Sequence, residues 1–184
     1  WNIIFMEKEK NTSPVIYCAN HTSYADIPLL FLGINEAFTI VGKAALTKVP
    51  LFGYMFKRLY IAVNRNNRKS KFETFHDSFQ AIDSGKSVVF FPEGLIPGEN
   101  VPHMTSFKDG PFRIAIEKQI PIVPITIPYN WIILQDKIPL LAKWHKAKAI
   151  FHPKIDTKGM SLENVEQLKQ QTFQIIETEL LKHL

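Results

Sequence analysis

Short apolar runs recur along the chain, with segments of helical apolar spacing between them. Each run has four to six residues and is bounded by glycine, proline or polar residues, as is typical of buried strands. The pattern therefore predicts six strands. They are VIYCA (15–19), FTIVG (38–42), YIAV (60–63), SVVFF (87–91), IVPITI (122–127) and KAIF (148–151).

Apolar residues spaced three or four positions apart predict three helices. The first covers 68–84, and the second is a short candidate at 110–118. The third and clearest covers 161–183, where Ser161 is a suitable cap and Leu162 begins an apolar stripe.

The alternation of strands and helices predicts an α/β fold, in which helices flank a central, largely parallel or mixed sheet. The length of 184 residues suits one domain with a substantial core, so 1–184 is predicted to be a single domain. In such sheets, ligands bind beyond the C-terminal ends of the strands. The polar segments NHTSYAD (20–26) and FPEG (91–94) both follow apolar runs, so we expect them at the same edge.

The first polar segment places a histidine and an aspartate five residues apart. His21 could accept a proton near neutral pH, and Asp26 could fix its tautomer and stabilise the imidazolium. We expect His21 just before a helix and Asp26 in its first turn or two, with Asn20, Thr22 and Ser23 as caps. On spacing alone, a strand-to-helix junction without any catalytic function explains the same pattern.

Two further segments carry residues suited to binding a substrate. In FPEG, Gly94 permits a positive φ or a close backbone approach, and Glu93 could orient a substrate hydroxyl or complete a polar network. Arg65 follows a predicted strand and could bind phosphate or carboxylate through two hydrogen bonds. A simple turn at FPEG and a solvated loop in the basic run 64–71 are the alternatives.

Charge and composition narrow the possible partners and compartment. The net charge of +5 could bring a basic surface to nucleic acid, anionic lipid or an acidic carrier. A single cysteine, Cys18, excludes a disulfide framework and fits a reducing compartment. No run of about 18 apolar residues predicts a membrane span. Because the chain starts at Trp1, we expect a membrane-anchoring segment to be absent from it, with Trp1 and residues 3–6 as the tail of an anchor helix.

Taken together, these segments resemble the glycerolipid acyltransferase family, which contains lysophosphatidic acid and glycerol-3-phosphate acyltransferases. NHTSYAD resembles the first block of that family, an Asn-His followed by four residues and an Asp. The stretch 42–65 resembles the second block, which ends in an arginine, and FPEG resembles the third. FKDGPFRIA (107–115) and IPIVPITI (120–127) resemble the segments that follow, in the same order.

The resemblance implies an O-acyltransferase that moves a fatty acyl group from acyl-CoA or acyl carrier protein to the hydroxyl of a lysolipid. The implied acceptor is 1-acyl-sn-glycerol-3-phosphate and the product phosphatidate. His21 would be the general base and Asp26 its orienter, with no metal, cofactor or covalent nucleophile. The implied location is the cytoplasmic face of a membrane, without nucleic acid as a partner. The segment 129–144, rich in aromatic residues, suits either a membrane interface or core packing.

By the same resemblance, five residues would bind the substrate. They are Asn20, Arg65, Glu93, Gly94 and Lys108.

One departure from the family pattern affects the acceptor. The third block usually continues with Thr-Arg-Ser, whose arginine contacts phosphate, but here Leu95, Ile96 and Pro97 follow. Lys108 could supply the missing charge. A lysolipid without a phosphomonoester, such as a lyso-aminolipid, therefore stays open as the acceptor. So do a hydrolase that uses the same His-Asp pair on water and a non-enzymatic lipid-binding module.

Overall fold

The computed structural model describes residues 3–6, 13–43, 60–63, 68–98, 101–134 and 142–184. The strands are β1 (Ile3–Met6), β2 (Ile16–Ala19), β3 (Phe38–Lys43), β4 (Tyr60–Val63), β5 (Ser87–Phe90), β6 (Ile122–Thr126) and β7 (Ala147–Phe151). The helices are α1 (Asp26–Gly33), α2 (Arg68–Asp83), α3 (Gly110–Lys118), α4 (Asn130–Ile133) and α5 (Val165–Leu181), with a 3-10 turn at Leu162–Asn164. The six predicted strands and three predicted helices are confirmed. Their ends move by no more than two residues, except that α5 begins four residues later than predicted, after the 3-10 turn.

These strands form one sheet of seven, in the order β1-β7-β6-β2-β5-β3-β4. The five strands β6, β2, β5, β3 and β4 run parallel, whereas β7 is antiparallel to β6 and β1 is parallel to β7. The predicted α/β fold with a largely parallel, mixed sheet is therefore confirmed. Parallel strands need cover on both faces, which explains why the runs are apolar throughout instead of alternating.

Strand β2 lies in the middle of the sheet and serves two cores. Tyr17 and Ala19 pack on one face with residues of α1 and α4. Ile16 and Cys18 pack on the other face with residues of α2, α3 and α5. Successive side chains of a strand point to opposite faces, so this short strand anchors helices on both sides. The loop that follows it consequently starts from a rigid position.

The N-terminal apolar residues form an edge strand and not a helix. The register of β1 runs from Ile3 opposite Ala147 to Met6 opposite Ile150. The expectation that they form the tail of an anchor helix is wrong, because periodicity alone cannot assign so short an apolar run. Pairing with β7 gives its backbone groups partners. Among the described residues, no helix has both the length and the apolar character needed to cross a bilayer.

The predicted C-terminal helix begins with a capped 3-10 turn. The Ser161 Oγ accepts a hydrogen bond from the Glu163 N–H, and Asn164 completes a capping box. Leu162 lies in that turn, off the helical period, and is 47% exposed, so its predicted place in the stripe is wrong. The buried stripe of α5 is Leu168, Thr172, Ile176 and Leu180.

One edge of the sheet collects the loops that matter for function. Because β2, β5 and β6 are parallel, their C-terminal ends lie together, and the antiparallel β7 begins at the same edge. We call this the C-terminal edge. The segments that meet there are 20–26, 91–94, 127–134 and 142–146.

Candidate active site

His21 lies just beyond the end of β2, and two contacts hold its ring. Its Nδ1 is 2.9 Å from Oδ2 of Asp26, and the ring stacks on Phe91 at a centroid distance of 4.0 Å. Because a carboxylate only accepts hydrogen bonds, the proton belongs on Nδ1, and Nε2 carries the lone pair. The side chain keeps 14% of its surface exposed, so a substrate can reach the ring.

Asp26 is fully buried at the first residue of α1, and four N–H groups surround its carboxylate. Oδ2 accepts from the backbone N–H of Thr22 at 2.8 Å and of Ser23 at 3.0 Å, as well as from His21. Oδ1 accepts from Nδ2 of Asn130 at 2.9 Å. A buried charge is costly unless hydrogen bonds compensate it, and these donors do so. The pair has the geometry that the sequence predicts, while its catalytic role stays a prediction.

The predicted caps of α1 are wrong. The N-cap residue is Ala25, which makes no side-chain capping bond. The Ser23 Oγ accepts from the Ala25 N–H at 3.0 Å and donates to the Leu134 carbonyl at 2.7 Å. The Thr22 Oγ1 is buried without a partner among the described residues. The reason is a tight turn, closed by the Asp26 N–H to the Ser23 carbonyl at 3.1 Å, which directs these side chains elsewhere.

Asn20 joins two strands beneath the candidate site. It is fully buried, its Nδ2 donates to the Ile127 carbonyl at 3.0 Å, and its Oδ1 accepts from the Ile127 N–H at 2.7 Å. Ile127 directly follows β6, so the amide fixes the end of β2 against the end of β6. Both ends of the side chain bond to Ile127, so the structure gives Asn20 a supporting role. Its contact with substrate stays a prediction.

Glu93 completes a polar network between the histidine and the next loop. The residue is 2% exposed. Its Oε1 accepts from the His21 backbone N–H at 2.9 Å. Oε2 accepts from the N–H of Thr105 at 2.8 Å and from its Oγ1 at 3.2 Å. Burial raises the pKa of Glu93 above its usual value, and the hydrogen bonds from Thr105 and His21 oppose that rise. Of the two roles predicted for Glu93, the structure shows the network, and contact with substrate stays a prediction.

This buried carboxylate predicts a pH effect on stability. Since the folded protein holds the Glu93 proton more tightly than the unfolded chain, its contribution is fully present below the ordinary glutamate pKa. That contribution is lost as the pH rises through the raised value. We expect the difference in unfolding free energy between wild type and Glu93→Gln to shrink over this window. Urea unfolding of both proteins at several pH values measures it, and a constant difference would contradict the assignment.

The other predicted binding residues lie at different places. Gly94 has a φ of +83°, as the sequence allows, and its N–H closes the turn on the Phe91 carbonyl at 2.9 Å. Lys108 is exposed, and its backbone N–H donates to the Pro92 carbonyl at 2.9 Å. Arg65 lies outside the described residues. Strand β4, which precedes it, stands three strands away from β2.

The surroundings of the cysteine disfavour nucleophilic catalysis. Burial raises the pKa of the Cys18 thiol far above its usual range, which disfavours the reactive thiolate. In the described ranges, no three His, Cys, Asp or Glu side chains are grouped to hold a metal ion. The expectation of no metal and no cofactor stays a prediction.

Sequence reasoning missed two polar residues at the site. Asn130 stands 104 positions from Asp26, yet it follows the apolar run 122–127 much as His21 follows its own run, which is a usable signal. Thr105 has no comparable signal, because it lies within a loop and not beside a predicted strand.

The assembled geometry suits general base catalysis. The Nε2 of His21 can take a proton from a hydroxyl or a water, while the Asp26 carboxylate stabilises the resulting imidazolium. Stacking on Phe91 fixes the ring of His21, and the hydrogen bond that the His21 N–H donates to Glu93 fixes its backbone. A fixed base loses little freedom when the reaction starts.

Comparison with known proteins identifies the family of this arrangement. Residues 2–128 match the family described as Acyltransferase. The chain is 33% identical over 115 residues to a 1-acyl-sn-glycerol-3-phosphate acyltransferase of Chlamydomonas reinhardtii, a match covering 62% of this chain and 34% of the relative. It is 27% identical over 123 residues to the lyso-ornithine lipid O-acyltransferase of Pseudomonas aeruginosa, covering 66% and 46%. The chain thus spans less than half the length of both relatives.

A solved structure shares the fold. The 1-acyl-sn-glycerophosphate (LPA) acyltransferase PlsC from Thermotoga maritima superposes with a TM-score of 0.79 at 22% identity, over 98% of this chain and 71% of that one. The family match includes His21, Asp26 and Glu93 and extends over more than half of the chain. The resemblance to glycerolipid acyltransferases predicted from the sequence is confirmed, and the chain belongs to the Acyltransferase family.

Proposed function

We propose that this protein transfers a fatty acyl group from an acyl thioester to the hydroxyl of a lysolipid, with 1-acyl-sn-glycerol-3-phosphate as acceptor and phosphatidate as product. The observation that carries the proposal is the bond between His21 Nδ1 and Asp26 Oδ2, 2.9 Å long, in a chain of the Acyltransferase family. The name of the Chlamydomonas relative supports this acceptor.

The proposed reaction needs one base, and no acyl-enzyme intermediate forms. The Nε2 of His21 takes the hydroxyl proton as the acceptor oxygen attacks the thioester carbonyl carbon. When the tetrahedral intermediate collapses, the carbon–sulfur bond breaks and the imidazolium returns the proton to the leaving thiolate. An ester and a free thiol result, and His21 is regenerated. Asp26 stays ionised and stabilises the imidazolium between these two transfers.

The acyl donor is proposed as acyl-CoA or acyl carrier protein. The basic charge of the chain, +5, suits both of these acidic carriers. The proposed chemistry needs no metal and no further cofactor, because a single proton moves and the thioester is already reactive.

A second acceptor class is a lyso-aminolipid. It is favoured by Leu95, which is 53% exposed where the family pattern has a polar residue, and by the Pseudomonas relative named for lyso-ornithine lipid. For a phosphate acceptor, Arg65 and Lys108 are the proposed cationic partners, with Glu93 and Gly94 at the acceptor side of the site.

The test offers one labelled acyl thioester to a panel of lysolipids with and without a phosphomonoester. Label in phosphatidate supports the proposed acceptor, whereas label only in an aminolipid product replaces it and leaves the acyl transfer intact. Release of free labelled fatty acid without any acceptor would identify a hydrolase instead. Binding of lysolipid without turnover in any assay would identify a lipid-binding module.

Membrane association at the cytoplasmic face is part of the proposal, because the acceptor resides in a bilayer and both acyl carriers are cytoplasmic. A surface that supports it is the Trp144 patch, defined as Lys143, Trp144, His145 and Lys146. Trp144 is 80% exposed and both lysines are exposed. The ring of His145 lies 5.2 Å from that of Tyr129, which follows β6. The patch therefore borders the C-terminal edge. A tryptophan among lysines suits an anionic interface.

Removing the charges of this patch should weaken binding to anionic vesicles. A lysine near a charged bilayer contributes about 1 kcal/mol, so Lys143→Gln with Lys146→Gln is expected to lower affinity roughly thirtyfold for phosphatidylglycerol-containing vesicles. Vesicle flotation with and without phosphatidylglycerol measures it. The matched control is Lys154→Gln with Lys158→Gln, which removes equal charge at the opposite edge. Equal losses in both pairs would show that the patch has no special role.

A further inference from the structure

Asn130 contacts the His21–Asp26 pair from a position 104 residues further along the chain. Its side chain is fully buried, and its Nδ2 donates to Oδ1 of Asp26 at 2.9 Å. Among the described residues, Oδ1 accepts from this one side-chain donor, whereas Oδ2 accepts from His21 and two backbone N–H groups. Asn130 is thus the one described group that holds the second oxygen of the carboxylate.

The orientation of this amide follows from its partner. A carboxylate can only accept hydrogen bonds, so the amide nitrogen must face Asp26 and the amide oxygen must point away. That oxygen is buried and has no partner among the described residues. An unpaired buried polar atom costs about 1–3 kcal/mol. An apolar residue of similar shape at position 130 would have no unpaired oxygen. The presence of an amide there points to a use for its Nδ2 group, which donates to Asp26.

The element that carries Asn130 is fastened to the catalytic loop at both ends. Asn130 is the first residue of α4 and reaches Asp26. Leu134, just past the end of α4, accepts a hydrogen bond from the Ser23 Oγ at 2.7 Å. These two hydrogen bonds hold α4 against the segment that carries His21 and Asp26. The position of the Asn130 amide is therefore set by the position of the helix as well as by its own rotamer.

We propose that Asn130 is a positioning residue for acyl transfer, which locks the rotation of the Asp26 carboxylate so that Oδ2 meets the Nδ1–H of His21. The inference rests on the proposed function. Without the amide, Oδ1 is left buried with no donor, and the carboxylate gains by rotating away from His21 to find one. Nε2 then loses the fixed orientation that proton transfer requires.

The first test removes the donor and keeps the volume. Asn130→Leu is expected to lower kcat about 10- to 100-fold, the range found when a partner that orients a metal-bound histidine is removed, with KM for both substrates nearly unchanged. Thr126→Val is the matched control, since it removes the hydrogen bond that Thr126, a buried residue of β6, forms with His152 without touching Asp26. It is expected to lower the melting temperature comparably and leave kcat unchanged. An unchanged kcat in Asn130→Leu would overturn the proposal.

The second test exchanges donor and acceptor. In Asp26→Asn, the side chain keeps one accepting oxygen, and its NH₂ group finds an acceptor only if the Asn130 amide turns over to present its oxygen. Adding Asn130→Asp lets the new amide donate to a carboxylate at position 130 while its oxygen faces His21. We expect the double variant to recover at least about tenfold of the kcat lost by Asp26→Asn, a gain of about 1.4 kcal/mol. A double variant no better than Asp26→Asn would contradict a positioning role.

A third measurement is independent of activity. The His21 Nδ1 proton, bonded to a buried carboxylate, should give a low-field proton resonance, which His21→Ala identifies by its loss. We expect this resonance to shift or vanish in Asn130→Leu and to persist in Thr126→Val. Should no acceptor be found for acyl transfer, this readout still tests Asn130. A resonance unchanged in folded Asn130→Leu, or in Asn130→Ser if the leucine variant does not fold, would refute the inference.

Discussion

Replacing His21 with alanine is expected to lower kcat for acyl transfer by a factor of about 1,000 or more, while the protein remains folded. Nothing else described at the site can take the acceptor proton: Asp26 is fully buried behind the ring, and Glu93 is engaged by His21 and Thr105 backbone groups. Steady-state rates with saturating thioester and lysolipid measure the loss, and the KM values should change little because the base acts in the transition state.

A matched control separates catalysis from folding. His76 lies exposed on α2, where its ring pairs with Gln80, so His76→Ala should keep the wild-type rate. His21→Ala also removes the stacking on Phe91, a contact of about 1 kcal/mol, and a small fall in melting temperature is therefore expected. Full activity in folded His21→Ala would end the proposed mechanism.

The strands, the helices and the His21–Asp26 pair can be predicted from the sequence because each depends on residues that are close together in the chain. The strands are apolar runs, and His21 and Asp26 are five positions apart, so one strand-to-helix junction brings them together. The caps could not be foreseen in the same way. Which hydrogen bonds Ser23 makes depends on Leu134, 111 positions away.

Strand order explains most of what the sequence leaves open. Glu93 reaches the His21 backbone because β5 lies beside β2, and Asn130 reaches Asp26 because β6 lies on its other side. The apolar runs predict that these strands exist without giving their neighbours. The edge strand at 3–6 has the same origin, since pairing with β7 and not periodicity decides its conformation.

The substitution Asp26→Asn is expected to lower kcat by a factor of about 100 to 10,000 at nearly constant size. The wild-type carboxylate accepts on both oxygens, from Thr22, Ser23 and His21 on one side and from Asn130 on the other. An amide in that place must turn its NH₂ group toward one of these sets of donors. Facing His21, it favours the wrong tautomer of the ring; facing Asn130, it meets a second NH₂ group unless the Asn130 amide turns over to present its oxygen.

Either orientation also removes the negative charge that stabilises the imidazolium, so the loss should appear in kcat and persist at saturating acceptor. The control is Asp83→Asn, which removes an exposed carboxylate paired with Lys118 and should leave the rate unchanged. Because the affected hydrogen bonds are buried, the free energy of unfolding of Asp26→Asn should fall by about 1–3 kcal/mol. The variant should therefore unfold at a lower urea concentration. If Asp26→Asn kept wild-type kcat, His21 would not depend on Asp26, and the proton would have to be taken by a base that acts without an orienting carboxylate.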